Sequence, residues 1–420
     1  MIIEFSTRNF RSLRDATSLS FAASPDSTLA ETHCVETGIK SVPRLVRAAA
    51  IYGANASGKS NLIFALATMI QLVQKSTALS ETQFAEFYTP FTLDAEFARE
   101  PTEFEVNLVI SGVRFEYGFS YDRQRIRGEW LTVYRTGKGQ RWFERTWNSH
   151  SNQDDWASFS THFTGPKETW RKATRPSALF LTTAAQLNSE LLKPLIDWFA
   201  DGHIVLNAGG AVNLGYTLQR FEESGFKERV LELLRAADLH IADIRIEKMS
   251  GQQVNLSFEP GKLAMISARE QEIPEFTYCH QVPGGEPVWF DRRFESAGTQ
   301  RLLAYIGPLL NAIETGKLLV IDEVDSSLHP MVTRFVISLM HDPVVSKRGA
   351  QLWVTTHDTS LLDTGVMRRD EFWFVEKDMD QASHLIPLTD FSPRRNEALE
   401  RGYLRGRYGG VPFISSPRLQ

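Results

Sequence analysis

The stretch IYGANASGKSNLIFALATMI, from Ile51 to Ile70, decides the fold. The segment RLVRAAAIYG before it is short and apolar and ends at Gly53, which is typical of a buried strand. After a glycine-containing loop, apolar residues recur at helical spacing and predict a helix over residues 59–74. The order of strand, glycine loop and helix is the arrangement that a phosphate-binding site requires.

The eight residues from Gly53 to Ser60 match the pattern G-x-x-x-x-G-K-[ST]. In this pattern successive backbone N–H groups curl around phosphates, the lysine neutralises their charge, and the last hydroxyl binds Mg²⁺. A glycine turn ahead of an ordinary helix is the alternative, and the preceding strand argues against it. We therefore predict a nucleotide site formed by Gly53, Asn55, Ala56, Ser57, Gly58, Lys59, Ser60 and Asn61.

The composition limits the class of protein. A chain of 420 residues exceeds the roughly 100–200 residues of one domain, which predicts two domains or one domain with insertions. No apolar run approaches the roughly 20 residues of a membrane span, and the first residues lack the features of a secretory signal. We therefore expect a cytoplasmic protein that does not enter a membrane. Two isolated cysteines exclude a four-thiolate zinc site, and a net charge of −5 leaves only local patches to attract nucleic acid.

Three segments with different patterns follow one another along the chain. We expect an N-terminal lobe over residues 1–150, with strands at 2–8 and 18–23, the glycine loop, and an antiparallel meander at 104–145. An inserted, mostly helical subdomain is expected over residues 151–285. It ends with two strand patterns, IADIRIEK and VNLSFEP. Residues 286–420 alternate helix and strand, which predicts a parallel sheet shared with the glycine loop and hence an α/β fold with a mixed sheet.

A second phosphate-related pattern lies in KLLVIDEVDSSLHP. An apolar strand would deliver Asp322 to the Mg²⁺ shell together with Ser60, and Glu323 could polarise the attacking water. Adjacent acids at a strand end are alternatively a solvated turn, but the upstream lysine loop favours the metal site. One strand later, QLWVTTHD places His357 where it could contact the terminal phosphate, whereas an isolated histidine would more often be structural.

The segment FESAGTQRLLAYIGPLL opens a predicted helix with a hydroxyl and a glycine. Such a helix start binds anions, although Ser296 or Thr299 could equally act as a plain N-cap. The candidate residues of this motif are Ser296, Gly298, Thr299 and Gln300.

Taken together, GANASGKS, SAGTQ, VIDEVDSSLHP and TTHD resemble the ATPase heads of the ABC, SMC and RecF type, in which a signature, an acidic pair with a D-loop and a switch histidine follow the lysine loop in this order. The resemblance implies an ABC-type P-loop NTPase head that hydrolyses ATP with Mg²⁺. It also implies that Glu323 is the catalytic carboxylate, that His357 is the switch and that Asp325 lies in the D-loop. The signature would act on the ATP of a second subunit.

A narrower resemblance is to the AAA-type ATP-binding proteins of bacterial phage-defence and abortive-infection systems, namely the RloA-like and AriA-like proteins and the ATPase part of OLD-family nucleases. It is based on YTPFTLD, PTEFEV, FESAGTQRLL, DEVDSSLHP, TTHDTSLLD and YLRGRYGGVPFI. Thr299 departs from the second glycine of transporter-type signatures, and the Q-loop glutamine is unplaced, with Gln74 and Gln83 as candidates by position.

This resemblance implies a homodimer or higher homo-oligomer held together by ATP, which controls an effector from a neighbouring gene. Because no acidic metal cluster of the Toprim type follows His357, we expect that effector to be a separate RloB-like or Toprim nuclease. The rival function is a RecF-like DNA-repair ATPase acting on DNA ends or gaps. A transporter ATPase subunit is disfavoured by the signature and the insertion. Five arginines between Arg394 and Arg407 suit either a contact with DNA or ion pairs within the assembly.

Overall fold

The structure is a computed structural model that describes residues 1–135, 137–206, 214–257, 265–394 and 397–412, with the backbone alone for 247–257 and 265–275. Its strands are β1 Ile2–Arg8, β2 Thr17–Ser20, β3 Cys34–Ile39, β4 Val42–Val46, β5 Ala48–Gly53, β6 Thr102–Ile110, β7 Val113–Tyr121, β8 Ile126–Tyr134, β9 Gln140–Asn148, β10 Gln153–Trp156, β11 His203–Leu206, β12 Asp243–Ser257, β13 Met265–His280, β14 Val288–Asp291, β15 Leu318–Ile321, β16 Gln351–Thr355, β17 Phe372–Lys377 and β18 Ser383–Pro387. Its α-helices are α1 Ala30–His33, α2 Lys59–Lys75, α3 Glu81–Glu86, α4 Lys167–Ala173, α5 Phe180–Gln186, α6 Lys193–Asp201, α7 Gly215–Gln219, α8 Phe226–Ala236, α9 Ala297–Thr315, α10 Pro330–His341 and α11 Leu399–Leu404.

A six-stranded sheet carries the glycine loop. Its order is β11-β15-β16-β5-β17-β18. The first five strands are parallel, and β18 returns antiparallel to β17. Every residue of β5 is buried, as expected for a strand between parallel neighbours. The predicted α/β class with a mixed sheet is therefore confirmed, as is the expectation that the glycine loop and the C-terminal strands share one sheet.

The predicted meander forms most of a second, seven-stranded sheet. Its order is β10-β9-β8-β7-β6-β1-β2. All of its strand pairs are antiparallel, and β1 joins the meander along β6. Aromatic side chains that alternate along β7, including Phe119 and Tyr121, are buried in the core, which fits a strand with one covered face.

The chain separates into two compact units. One contains Met1–Ala208, Asn311–Asp325 and Thr333–Gln420; the other contains Gly209–Leu310 and Ser326–Val332. These units divide the chain differently from the three segments expected from the sequence. Besides its helices, the expected insertion contains a long antiparallel hairpin formed by β12 and β13. Its first arm runs as one strand across both predicted strand patterns, and residues 258–260 of VNLSFEP lie outside the described residues.

Among the residues that the structure describes, none of the helices combines the length and apolarity that crossing a membrane would need.

A buried carboxylate joins the antiparallel sheet to helix α5. Glu129 is fully buried on β8 and accepts hydrogen bonds from the first backbone N–H groups of α5, at Phe180 (2.7 Å) and Leu181 (2.9 Å). It also accepts from the Tyr117 hydroxyl at 3.1 Å and forms an ion pair with Arg145 at 3.0 Å. A carboxylate at a helix N-terminus satisfies backbone donors that would otherwise be unpaired.

We expect Glu129→Gln to lower the free energy of unfolding by about 3 kcal/mol, because the neutral amide removes the nearer acidic partner of the buried Arg145, at 3.0 Å, and leaves only Asp154, at 3.6 Å. Urea denaturation followed by circular dichroism measures this change. The matched control is Glu144→Gln, whose ion pair with Arg141 is solvent-exposed and contributes little. Equal stability of the two variants would contradict the role assigned to Glu129.

Candidate functional site

The glycine loop has the backbone conformation that a phosphate cradle needs. Ala56 and Gly58 adopt left-handed φ angles of 62° and 112°. A side chain at Gly58 would collide with the Ser383 hydroxyl, and a Cβ at Gly53 would lie 2.6 Å from both Ser57 Oγ and the carbonyl of Val375. Glycine is therefore required at both positions, and the loop is held closely against β17 and β18. Asn55 and Ala56 are exposed on its outer side.

When the backbone N–H groups of the loop face the phosphates, its carbonyl groups point into the protein, where they need donors. Lys59 Nζ donates to the carbonyls of Gly53 (2.7 Å) and Ala54 (3.1 Å). The Ser383 hydroxyl donates to the carbonyl of Ser57 at 2.5 Å. These hydrogen bonds to its carbonyl groups therefore preorganise the loop.

The acidic pair follows β15 directly. Asp322 is buried and accepts a 2.5 Å hydrogen bond from the Thr355 hydroxyl at the end of β16. The same hydroxyl accepts the backbone N–H of Glu323 at 2.7 Å. Glu323 has a left-handed φ of 52°, and its side chain is exposed. Thr355 therefore fixes the two acids in different environments, one buried beside the sheet and one directed to solvent.

His357 lies two residues beyond β16, on the same edge of the sheet. Its backbone N–H donates to both carboxylate oxygens of Asp325 at 3.2 Å. The next residue is anchored to the strand of the glycine loop, because the Tyr52 hydroxyl donates to the carbonyl of Asp358 at 3.0 Å. Burial lowers the pKa of His357, and the charge of Lys59 lowers it further. The lowered pKa favours the neutral imidazole.

Electrostatics link these groups into one site. Burial lowers the pKa of Lys59, and the charges of Glu323, Asp322 and Asp325 oppose that shift, in decreasing order. The loop lysine thus shares its electrostatic environment with both predicted acids and with the D-loop aspartate. Ser60, half-buried in the first turn of α2, and Asp322 offer the hard oxygen ligands that Mg²⁺ prefers. These residues fit a magnesium-bound nucleotide.

Asn61, the last predicted member of the loop, connects it to a segment that sequence reasoning missed. Its side-chain amide donates to the Ser12 hydroxyl at 2.7 Å, and the Ser12 and Ser383 hydroxyl oxygens lie 2.7 Å apart. The guanidinium of Arg11 lies 3.4 Å from Asn61 Oδ1 and 4.3 Å from the centre of the Phe64 ring. The signal in the sequence that could have indicated this contact is the run of polar residues in NFRSL, between two predicted strands.

The predicted signature belongs to the second unit. Ser296 Oγ accepts the backbone N–H of Thr299 at 3.0 Å and lies 2.9 Å from its hydroxyl, so Ser296 does act as an N-cap of α9. A Cβ on Gly298 would lie 2.8 Å from the carbonyl of Ser327, which makes this glycine obligatory. Gln300 donates from its amide to the carbonyls of Arg292 and Glu295. Capping and anion binding use different groups of a helix start, so the N-cap leaves the signature prediction open.

The two glutamine candidates make structural contacts away from the glycine loop. Gln74 donates to the carbonyl of Phe199 at 2.6 Å, and Gln83 forms a capping box with Ser80 at the start of α3.

In the C-terminal arginine cluster, Arg407 pairs with Glu397, whereas Arg394, Arg401 and Arg405 are exposed. Arg395 and the last two residues of YLRGRYGGVPFI lie outside the described residues.

Comparison with known proteins identifies the domain. The family model described as "AAA domain, putative AbiEii toxin, Type IV TA system" matches residues 48–363, which is more than half of the 420-residue chain. The solved structure titled "Crystal structure of the SmcHead bound to the C-winged helix domain of ScpA" is 14% identical, with a TM-score of 0.39, and the match covers 92% of this chain and 96% of that chain. No curated protein matches the sequence.

We expect Thr355→Val to lower the ATP hydrolysis rate about tenfold, because it removes the hydroxyl that positions both acids while keeping the shape of the side chain. Thr355→Ser should retain most of the rate. Steady-state phosphate release, with thermal melting as a control for folding, tests this expectation. Equal rates for the valine and serine variants would show that the hydroxyl does not position the acids.

Proposed function

This chain belongs to the AAA-domain family described as putative AbiEii toxin of a type IV TA system, and on that basis we propose that it is an ATP-binding and ATP-hydrolysing switch. The observation that carries the proposal is the common sheet edge shared by Lys59, Asp322, Glu323 and His357. The protein would dimerise through ATP held between two heads and control a partner effector in defence against phage.

Each residue of the edge has a distinct task in this proposal. The N–H groups of the glycine loop and Lys59 hold the phosphates of ATP, and Ser60 with Asp322 would hold Mg²⁺, which supplies charge neutralisation at the phosphates. Glu323, exposed and separate from the buried Asp322, orients and deprotonates the attacking water. The imidazole of His357 would donate a hydrogen bond to the terminal phosphate. Because the backbone N–H of His357 donates to Asp325, loss of that phosphate would also affect the position of Asp325.

The chemical output would be a conformational signal. ATP that contacts both subunits favours the closed pair, and hydrolysis removes the phosphate that the two heads share. In this scheme Ser296, Gly298, Thr299 and Gln300 would contact the ATP bound by the second subunit. At the start of α9, Ser296 and Ala297 are exposed, whereas Thr299 is buried and its N–H is bonded to Ser296 Oγ.

The proposed effector is a separate protein from a neighbouring gene, such as an RloB-like or Toprim nuclease, that the ATPase restrains or licenses. The description of the matched family names a putative toxin of a type IV TA system, which supports a role in defence and names no separate effector. Co-purification of the neighbouring product with and without ATP tests the link, and a lack of association in both states would refute it.

One observation favours the second candidate, a RecF-like DNA-repair ATPase. Arg394, Arg401 and Arg405 are exposed and lie within one short segment, which suits a phosphate backbone. DNA-stimulated hydrolysis that weakens with salt would support repair, and hydrolysis indifferent to DNA would support the defence switch.

We expect Glu323→Gln to bind ATP, to hydrolyse it roughly hundredfold more slowly or worse, and to accumulate as a dimer. Because Glu323 is exposed, folding should be unaffected. Size-exclusion chromatography with light scattering, with and without ATP, measures the dimer, and Glu190→Gln, another exposed acid, is the control. A variant that remains monomeric with ATP would rule out the sandwich.

Mixing two inactive variants tests whether the signature acts on the second subunit. Lys59→Ala and Ser296→Arg should each lose hydrolysis, whereas an equimolar mixture should recover about a quarter of the wild-type rate, since half of the dimers carry one intact composite site. Melting temperatures check that both variants fold. If the mixture stays inactive although it forms dimers, the signature does not act on the second subunit.

A further inference from the structure

The segment of residues 397–410 reaches the start of the glycine loop. Gly410 is buried, and a Cβ at this position would lie 3.3 Å from the Cα of Gly53 and 3.4 Å from the carbonyl oxygen of Val375. Gly53 and Val375 are register partners on β5 and β17. The segment therefore packs on two neighbouring strands at the point where the glycine loop leaves the sheet.

A glycine turn makes this close approach. Gly406, Gly409 and Gly410 have left-handed φ angles of 77°, 68° and 68°, a region that residues with a side chain rarely adopt. The backbone N–H of Gly406 donates to the carbonyl of Tyr403 at 2.7 Å, and that of Gly409 donates to the carbonyl of Gly406 at 3.2 Å. The Tyr403 hydroxyl then donates to the carbonyl of Gly410 at 3.1 Å. This buried hydrogen bond ties α11 to the residue that contacts Gly53.

Aromatic packing holds the segment on the sheet. The ring centre of Tyr403 lies 5.5 Å from that of Tyr52 on β5 and 5.4 Å from that of Phe374 on β17. The ring of Tyr408 also stacks on Phe374, at 5.5 Å. Both tyrosines are buried, and such ring contacts stabilise a core beyond the area that they bury. The rings fix where the segment lies, so that removal of a hydroxyl alone should leave it in place.

The segment also contacts the loop that follows His357. The carboxylate of Glu400 on α11 accepts a hydrogen bond from the Thr359 hydroxyl at 2.7 Å, two residues beyond His357. The residue between them, Asp358, accepts the Tyr52 hydroxyl through its carbonyl at 3.0 Å. Residues 397–410 are therefore a shared neighbour of two parts of the sheet edge, the start of the glycine loop and the loop after His357.

We propose that Tyr403 and Gly410 are positioning residues for the glycine loop. The Tyr403 hydroxyl holds the Gly410 turn against Gly53, so that the loop keeps its phosphate-binding conformation before a nucleotide binds. Such preorganisation lowers the ordering cost of binding. The functional consequence rests on the proposed ATP site, and it assigns a role in that site to a segment that carries none of the phosphate or metal motifs.

A matched pair of tyrosine variants tests the role of the hydroxyl. Tyr403→Phe loses the bond to Gly410, whereas Tyr408→Phe loses a 2.6 Å bond to Glu397, and each variant keeps a buried ring. By calorimetric titration of full-length protein, we expect Tyr403→Phe to weaken the binding of a nonhydrolysable ATP analogue and of inorganic tripolyphosphate about fivefold. Tyr408→Phe should bind both like wild type, with a similar melting temperature. Equal affinities of the two variants would overturn the proposal.

A matched pair of glycine variants tests the contact with Gly53. Gly410→Ala and Gly406→Ala both add a methyl group to a left-handed residue. At Gly410 this group meets the backbone of Gly53, whereas at Gly406 it lies 3.4 Å from a side-chain methyl of Val411. We expect Gly410→Ala to weaken binding of the same ATP analogue about tenfold or more and Gly406→Ala to change it less than twofold. If the two glycine variants bind equally well, the contact does not position the loop.

Hydrogen exchange of the ligand-free protein tests the positioning without a nucleotide. Backbone N–H groups of residues 53–58 should exchange faster in Tyr403→Phe than in Tyr408→Phe, while those of β16 exchange equally. Equal exchange in the loop would overturn the proposal. Wild-type protein that binds neither ATP nor tripolyphosphate would refute the proposed function, but the exchange experiment would still decide the positioning role. Wild-type protein that binds ATP, with Tyr403→Phe matching its control, would refute only the positioning role.

Discussion

The parallel hydrogen bonding of β5, β16 and β15 is the constraint on which the candidate site depends. Residues Ala48–Ile51 pair with Leu352–Thr355, and Leu318–Ile321 pair with Gln351–Val354 on the other side of β16. Because parallel strands end at the same edge of a sheet, the glycine loop, the acidic pair and His357 must emerge together. The strand that carries His357 lies between the other two and therefore brings Thr355 within reach of both acids.

The second requirement is that the carbonyl groups of the glycine loop find donors. A loop that turns its N–H groups toward an anion directs polar oxygens into the protein, where an unmet acceptor costs about 1–3 kcal/mol. Lys59 and Ser383 meet part of this need. The conformation of the loop is thus supported by β18, which lies far along the chain. A movement of the β17–β18 hairpin would therefore alter the position of the glycine loop.

Much of this arrangement could be predicted from the sequence. The glycine loop, helix α2, the strand before Asp322 and the strand before His357 all have short-range patterns, and the structure contains them within a few residues of the predicted bounds. Strand β12 was harder, because polar residues separate the two strand patterns that it joins. The capping role of Ser296 was one of two alternatives, and a hydroxyl before a helix cannot distinguish them without its contacts.

The sequence by itself determined the candidate residues for phosphate and metal binding, because that chemistry requires fixed residue types at fixed local spacing, as in Gly53 to Ser60 and in Asp322 and Glu323. Only the tertiary structure decided which groups hold them in place. Thr355 lies 33 residues from Asp322 along the chain, and Ser383 lies 326 residues from Ser57. Serine and threonine are common and leave no local signal of such partners. Their roles arise only when the strand order brings distant hydroxyls beside the carboxylate and the carbonyl that need a donor.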